Sequence, residues 1–187
     1  MYSARKQSSK NKGFTLIELL IVMAIIGILA TIGVGFFVSA QQKTRDAERK
    51  SDLRQIANAL EIFYADHGHY PLSNGGRILA CQYLPAIGSG IGTGQICNWN
   101  GSDVFADTTG RTYFSPLTID PGSGEYYYRA NTTGTMYQLY ATLENDNDPE
   151  YQTFAATYAS GSSSCGGSTC HYAITSPNTT ANSNLTE

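Results

Sequence analysis

Hydrophobic residues dominate the start of the chain and become sparse after it. The 20 residues from Leu19 to Val38 contain no charge, and Thr31 is the one polar side chain among them. About 20 apolar residues are enough for a helix to cross a lipid bilayer. The pattern therefore predicts a transmembrane helix over residues 14–38.

Apolar residues continue at helical spacing beyond this run, but on one face only. Neither Gly nor Pro interrupts residues 39–67, and charged residues fill the other faces. The apolar positions are Leu53, Ile56, Leu60, Phe63 and Tyr64. Gly68 and Pro71 end the pattern. We expect one helix of about 54 residues, roughly 80 Å long, with a second, amphipathic half that continues over residues 39–71 and packs on a soluble domain.

Charged residues of both signs crowd the start of this amphipathic half. The eight residues are Lys43, Arg45, Asp46, Glu48, Arg49, Lys50, Asp52 and Arg54. Such a segment could pair with neighbouring subunits or with lipid head groups. It could equally be an ordinary solvated face, and the sequence leaves both interpretations open.

The remainder of the chain has the pattern of a small β-containing domain. Residues 72–110 show no long periodic run and predict a loop region with short helical pieces around residues 78–84. Three Tyr-rich and β-branched segments predict strands over residues 126–130, 136–142 and 153–158, with a hairpin turn at residues 131–135. We expect an α+β fold in which the long helix packs against a small antiparallel sheet. The globular head would span residues 72–160, and residues 161–187 would form a polar, flexible tail.

Four cysteines lie in the predicted head and tail, and none has the C-x-x-C spacing of a structural zinc site. An even number of cysteines in an exported chain favours disulfides, and four cysteines allow three pairings. We expect the local pairs Cys81–Cys97 and Cys165–Cys170. Four reduced, buried thiols are the alternative.

The net charge of −3 hides an asymmetry. Residues 1–13 carry four basic residues and no acid, so removing them leaves 8 of the 12 basic residues against 15 acidic ones, a net charge of −7. An acidic surface argues against general nucleic-acid binding, which needs Lys and Arg to neutralise phosphates. The basic start predicts a cytoplasmic leader and a head that crosses the membrane.

The junction of Gly13 and Phe14 and the carboxylate of Glu18 are the candidate functional features of the N-terminus. A conventional signal peptide is cut after its apolar run, whereas Gly13-Phe14 precedes the run, so that the helix would stay on the mature chain. A carboxylate inside a membrane helix is costly unless it is paired. Cleavage after Gly13 creates an amine on Phe14, and the amine of a neighbouring subunit could pair with Glu18 and fix the axial register. The alternative is a Glu18 side chain that reaches the membrane edge.

A resemblance to a known family rests on this junction. Residues 12–18 read KGFTLIE and precede the apolar helix. This run resembles the N-terminal signature of type IV pilins and of type II secretion pseudopilins. The resemblance implies that a prepilin peptidase removes residues 1–13 and that the Phe14 amine is methylated. It also implies that a platform protein and an ATPase drive assembly of a helical homopolymer. Many members carry a proline near the position of Gly35, where this chain has a glycine that could serve either helix melting or close packing.

The head adds to the resemblance. The end of the predicted helix, residues 53–71, and the Asp120-Pro121 turn followed by two strands are similar to the major pseudopilin of type II secretion. In that family an acidic loop after the second strand binds calcium. The corresponding residues 144–150 read ENDNDPE, so Asp146 and Asp148 would be the first Ca²⁺ ligands. The family's glycine-rich continuation is missing here, and an ordinary acidic turn is the alternative.

These features favour a structural subunit over an enzyme. The sequence has no nucleophile motif, no phosphate loop and no metal-ligand cluster of convincing spacing. We expect a pilin-like subunit that enters the cytoplasmic membrane as a single-pass precursor and then a fibre at the cell envelope or surface. The alternatives are a pseudopilin of a secretion or DNA-uptake system and a monomeric, membrane-anchored binding protein.

Overall fold

A computed structural model describes residues 13–84, 92–154 and 164–185. Helix α1 runs from Leu16 to His67, which confirms the predicted single long helix. The amide of Gly68 donates to the carbonyl of Tyr64 over 2.8 Å, and Gly68 has a φ of 74°. This left-handed glycine ends the helix, as the sequence predicts. Residues 1–12 of the predicted leader lie outside the described residues.

The chain forms two compact units, Met1–Ala40 and Gln41–Glu187. In the first unit, the large apolar side chains of α1 that the structure describes are exposed, for example Leu16 at 85% and Phe36 at 75%. This part of α1 is long enough and apolar enough to cross a membrane. An apolar surface of this extent needs lipid or another protein to cover it.

The second unit contains the head, which begins with a five-stranded mixed sheet. Its strands are β1 (Ser73–Asn74), β2 (Arg77–Leu84), β3 (Thr93–Cys97), β4 (Phe105–Asp107) and β5 (Thr112–Phe114). Strand β2 pairs antiparallel with β1 and β3, and β4 runs parallel to β2 and antiparallel to β5. The parallel pair departs from the purely antiparallel sheet that the sequence predicts.

A second, antiparallel sheet follows the predicted hairpin. It contains β6 (Tyr127–Ala130) and β7 (Tyr137–Ala141), which pair Ala130 with Tyr137 across the turn. The Oδ1 atom of Asn131 accepts hydrogen bonds from the amides of Thr135 and Met136 at 2.8 and 3.0 Å. The hairpin therefore confirms two of the predicted strands and the turn between them.

Two short strands and a third partner complete the head. Strands β8 (Ser164–Cys165) and β9 (Ser168–Thr169) form a small hairpin. Strand β10 (Tyr172–Thr175) lies beside β7, so that the sheet order is β10-β7-β6. The prediction of a strand over residues 153–158 is wrong for residues 153 and 154, and residues 155–158 lie outside the described ones.

The prediction of a flexible tail over residues 161–187 is wrong for residues 164–185, which belong to the head. Ser176 and Leu185 are buried, and the buried amide of Gln138 donates to the carbonyls of Thr180 and Ser183 at 2.7 and 2.8 Å. Hydrogen bonds rather than apolar contacts attach this segment, which is why its polar composition suggested a tail. Residues 161–163 and 186–187 lie outside the described part of the chain.

The prediction of helical pieces around residues 78–84 is also wrong, because these residues form β2. Ile78 and Ala80 are completely buried while Leu79 between them is partly exposed. This alternation is that of a strand. The disulfide of Cys81 with Cys97 joins β2 to β3 and favours the paired, extended conformation.

The head core forms on the apolar face of α1. Four of the predicted positions, Leu53, Ile56, Leu60 and Phe63, are completely buried and belong to one cluster with strand residues such as Tyr128 and Leu139. Tyr64, the fifth predicted position, is 38% exposed instead. Its ring packs on Tyr70 just after the helix end, 4.6 Å between centroids.

This packing predicts different effects for two neighbouring helix positions. Leu60→Ala leaves a cavity in the core and should lower the free energy of unfolding by about 2–5 kcal/mol. Ile62→Ala removes a side chain that is 47% exposed and should cost less than about 1 kcal/mol. The fluorescence of the buried Trp99, followed during urea unfolding of the full chain in detergent, measures both values. Equal losses would contradict the packing described here.

Candidate functional site

The N-terminus of α1 is held by a reciprocal pair of side chains. Thr15 donates to Oε2 of Glu18 from its amide at 2.9 Å and from its hydroxyl at 2.7 Å, and the Glu18 amide approaches the Thr15 hydroxyl at 3.4 Å. This arrangement is a capping box, which satisfies amide groups that the first helical turn leaves without partners. Thr15 was not among the predicted partners of Glu18, although the Thr-x-x-Glu spacing indicates it.

The predicted cleavage junction lies directly before this capping box. Gly13 and Phe14 have no regular secondary structure, and Phe14 is 86% exposed. A side chain placed on Gly13 would meet no atom within 4 Å among the described residues. The structure therefore brings Phe14 and Glu18 to the same end of α1, within one helical turn of each other along the chain.

A buried guanidinium joins the second half of α1 to the head. Nε and Nη2 of Arg49 donate to the two carboxylate oxygens of Asp120 at 2.7 and 2.9 Å, and Nη1 donates to Asp46 at 2.8 Å. The side chains of Arg49 and Asp120 are 2% and 1% exposed. A bidentate ion pair of this kind fixes both the distance and the orientation between the guanidinium and carboxylate groups.

The turn that carries Asp120 is shaped around this contact. The amides of Gly122 and Gly124 donate to Oδ1 of Asp120 at 2.8 and 3.3 Å. A Cβ atom on Gly122 would lie 2.5 Å from Nη2 of Arg49. The glycine after the Asp120-Pro121 turn is therefore needed for the guanidinium to approach the backbone.

The same helix turns hold the segment after β7. The carboxylate of Asp46 accepts the amides of Glu144 and Asn145, the latter at 2.8 Å. Nε of Arg45 donates to Glu144 at 2.8 Å, and Nη2 of Arg49 lies 2.9 Å from the same carboxylate oxygen. We call Arg45, Asp46, Arg49, Asp120 and Glu144 the helix–head cluster.

The structure corrects both sequence interpretations for five of the eight charged residues at the start of the amphipathic half. These five face the head instead of solvent, lipid or a neighbouring subunit: Arg45, Asp46, Arg49, Lys50 and Asp52. The other three, Lys43, Glu48 and Arg54, are exposed. The partners lie some 70 to 100 positions away in the chain, so helical periodicity could not reveal them.

The pKa values follow from this pairing. Burial opposes ionisation of Asp120, but the hydrogen bonds and charge of Arg49 outweigh burial and lower the pKa of Asp120. The hydrogen bond from Arg45 lowers the pKa of Glu144. Burial raises the pKa of Asp52, which accepts a 2.6 Å hydrogen bond from the hydroxyl of Tyr126. The lowered pKa values keep Asp120 and Glu144 ionised at neutral pH, opposite the guanidinium groups of Arg49 and Arg45.

The predicted calcium ligands lie in the segment after β7, but a lysine pairs with one of them. Nζ of Lys50 lies 2.5 Å from Asp148 and 2.8 Å from Glu150, while Asp146 accepts a 2.7 Å hydrogen bond from Asn147. Calcium needs about six to eight oxygen ligands, and no group of three or more acidic, His or Cys residues in the described ranges is arranged to hold a metal. These side chains are not arranged as a calcium site. That Asp146 and Asp148 bind calcium stays a prediction until calcium binding is measured.

The cysteines pair as the sequence predicts. Cys81 bonds to Cys97 between β2 and β3, and Cys165 bonds to Cys170 at the β8–β9 hairpin. Both disulfides close short loops, with sequence separations of 16 and 5. The four cysteine side chains are all buried and belong to the two hydrophobic clusters of the head.

Comparisons with known proteins agree with the N-terminal motif and extend into the head. Residues 8–34 match the family described as the prokaryotic N-terminal methylation motif. The type II secretion system core protein G of Pseudomonas aeruginosa is 31% identical over 135 residues, 72% of this chain and 84% of that protein. The type IV wide pilus major component PilA4 of Thermus thermophilus is 31% identical over 129 residues, 68% and 93% of the two chains.

A third relative matches a shorter part of the chain. The type IV major pilin protein PilA of Myxococcus xanthus is 43% identical over 61 residues, 33% of this chain and 28% of that protein. No solved structure matches the chain. The similarity to the first two relatives covers helix and head together.

The helix–head cluster predicts a large effect for Arg49 and a small one for an exposed arginine on the same helix. Arg49→Met leaves Asp46 and Asp120 buried without their counter-charge and should lower the free energy of unfolding by about 3–5 kcal/mol. Arg54→Met should change it by less than about 0.5 kcal/mol. Urea unfolding followed by Trp99 fluorescence compares them, and an Arg49→Met chain as stable as Arg54→Met would contradict the cluster's role.

The lowered pKa values predict an acid-sensitive stability. The pairing of Asp120 and Glu144 stabilises the head fully above the ordinary carboxyl range, near pH 4. This stabilisation is lost as the pH falls through their lowered folded-state pKa values. The melting temperature of Glu144→Gln should therefore decline less between pH 5 and about pH 2.5 than that of the unchanged chain. Glu48→Gln, at an exposed helix position, is the control and should keep the full decline.

Proposed function

The chain belongs to the type IV pilin and type II secretion pseudopilin family, and on that premise we propose that it is a structural subunit of a cell-surface helical fibre. The observation that carries the proposal is the N-terminus of α1. There an exposed junction, Gly13-Phe14, precedes a capping box with Glu18 and a long apolar helix. A subunit of this kind would be released from its leader and polymerise.

The exposed apolar part of α1 supports polymerisation. Large side chains from Leu16 to Val38 are at least half exposed among those the structure describes. Before assembly the lipid bilayer would cover them, and after assembly the same helices of other copies would replace the lipid. The helix thus serves as a membrane anchor first and as a fibre contact afterwards.

Glu18 would set the register of these contacts. Both short hydrogen bonds from Thr15 end on Oε2, so that Oε1 can accept the Phe14 amine of a neighbouring copy. An amine and a carboxylate that meet in an apolar environment attract strongly and tolerate little displacement. The capping box would hold the carboxylate in a fixed position for this contact.

The partners follow from the family. A prepilin peptidase would cut between Gly13 and Phe14, and the new amine would be methylated. A platform protein and an ATPase would drive extraction from the cytoplasmic membrane into the fibre. The role is structural, and the chain's own contribution is a polymerising helix with a folded head outside the cytoplasm.

A second candidate function is a pseudopilin of a secretion or DNA-uptake system. The similarity to core protein G of type II secretion, over 72% of this chain, favours it. The pilin candidate is favoured by the similarity to PilA4, which spans 93% of that protein. Both candidates use the same leader, helix and polymer contact.

The site of processing and the kind of fibre can be determined together. Material sheared from the cell surface should contain abundant fibres by electron microscopy, and sequencing of their subunit should begin at Phe14. Absence of surface fibres, with cleavage at Phe14 in envelope fractions, would favour the pseudopilus. A mature chain that begins elsewhere would contradict the proposed processing.

Substitutions at the N-terminus of α1 test the polymer contact. Glu18→Ala should reduce fibre yield at least about tenfold, because it leaves the neighbour's amine without a counter-charge. Thr15→Val should reduce it less, about two- to fivefold, because it loses only the capping hydroxyl. Cleavage and membrane insertion should continue in both. Glu48→Ala, at an exposed helix position, is the control, and normal fibres from Glu18→Ala would refute the register role.

A further inference from the structure

The acidic loop, residues 144–150, lies against a single lysine of α1. Nζ of Lys50 lies 2.5 Å from Oδ1 of Asp148 and 2.8 Å from Oε2 of Glu150. It also lies 5.5 Å from the ring centroid of Tyr172 on β10. Two carboxylates and an aromatic face thus surround the ammonium group, and its side chain is only 11% exposed.

The carboxylate that pairs with Lys50 also accepts a hydrogen bond from the backbone of the loop. Oδ1 of Asp148, which receives the ammonium, accepts the amide of Glu150 at 2.9 Å as well. The amides of Asp148 and Tyr151 close turns onto the carbonyls of Asn145 and Asp148 at 3.1 and 3.0 Å. The loop therefore winds around Asp148, and the cation that pairs with Asp148 among the described residues comes from the helix.

Few carboxylate oxygens of the loop are available to coordinate a metal ion. Glu144 belongs to the helix–head cluster and is paired with Arg45 and Arg49. Asp146 is the one acid of the loop that forms no ion pair in the described part of the chain. A calcium ion would have to displace Lys50 from Asp148 and would leave a largely buried ammonium group unpaired, which is costly.

We infer that the ammonium group of Lys50 takes the structural role that a calcium ion has in the family the chain resembles. It binds the acidic loop to α1 and to β10 without a metal. The head of this chain would then fold and keep its loop in place whatever the calcium concentration outside the cell. This inference concerns the isolated subunit and does not depend on which fibre the subunit enters.

The calcium response of the unchanged chain tests the inference first. The melting temperature of the full chain in detergent, measured by circular dichroism, should differ by less than about 1 °C between about 5 mM CaCl₂ and excess EGTA. Extracellular calcium sites bind at roughly 10⁻⁴–10⁻³ M, so a site of this class would be occupied and would raise the melting temperature by several degrees. Such a rise would overturn the inference.

Substitution of Lys50 gives the second test. Lys50→Met keeps most of the aliphatic chain and removes the charge, and it should lower the melting temperature by about 3–6 °C in both buffers. Lys43→Met, at an exposed position of the same helix, should change it by less than about 1 °C. Lys50→Arg should retain at least half of the lost stability. An unchanged melting temperature for Lys50→Met would overturn the inference.

A double substitution separates the pair from a general effect of Lys50. Because Lys50 and Asp148 act on each other, the loss in Lys50→Met/Asp148→Asn should be clearly smaller than the sum of the two single losses. Fully additive losses would show that the ammonium does not act through this loop. If Lys50→Met does not fold, the calcium response of the unchanged chain still decides the question.

Discussion

The exposed apolar surface in the first half of α1 is the constraint on which the rest of the structure depends. From Leu16 to Val38 the large side chains of α1 that the structure describes are exposed, and water is a poor environment for so much apolar surface. Lipid or other copies of the chain can cover this apolar surface. The polar groups of Thr15 and Glu18 at the helix start suit a move of the helix from the bilayer into a fibre. The capping box of Thr15 and Glu18 lets a carboxylate sit at the start of an apolar helix with its first hydrogen bonds already made.

The second half of the same helix meets the opposite requirement, because it must stay attached to one folded head. Its apolar face supplies the attraction through Leu53, Ile56, Leu60 and Phe63. An apolar face alone tolerates small rotations and shifts of the helix against the head. A buried bidentate ion pair does not tolerate them. Arg49 and Asp120 provide this constraint, and the acidic loop adds Lys50 on the next residue of the helix. Buried ion pairs add little net stability but can select one arrangement among several. We expect the helix–head cluster to have that role here.

The features that could be predicted are those that local sequence controls. Helix periodicity identified the buried face of α1, the Asn131–Thr135 turn identified the hairpin, and short loop closure identified both disulfides. Features that depend on distant partners could not be predicted in this way. Strand β2 was mistaken for helical pieces because its partners are other segments, and β10 was hidden in a Ser- and Thr-rich stretch held by hydrogen bonds. Asp120, the partner of Arg49, lies 71 residues away in the chain, and Asp148, the partner of Lys50, lies 98 residues away. The capping box is different, because the Thr15–Glu18 spacing is visible in the sequence and depends on no distant partner.

The central claim is that α1 finds its missing partners in other copies of the chain, with Glu18 setting their register. A cryo-electron microscopy reconstruction of the assembled fibre, at a resolution that shows side chains, tests it most directly. The account predicts that the carboxylate of Glu18 lies within about 4 Å of the Phe14 amine of an adjacent subunit, surrounded by the apolar side chains of neighbouring helices. A fibre in which Glu18 faces solvent, or contacts only Thr15 of its own chain, would contradict it.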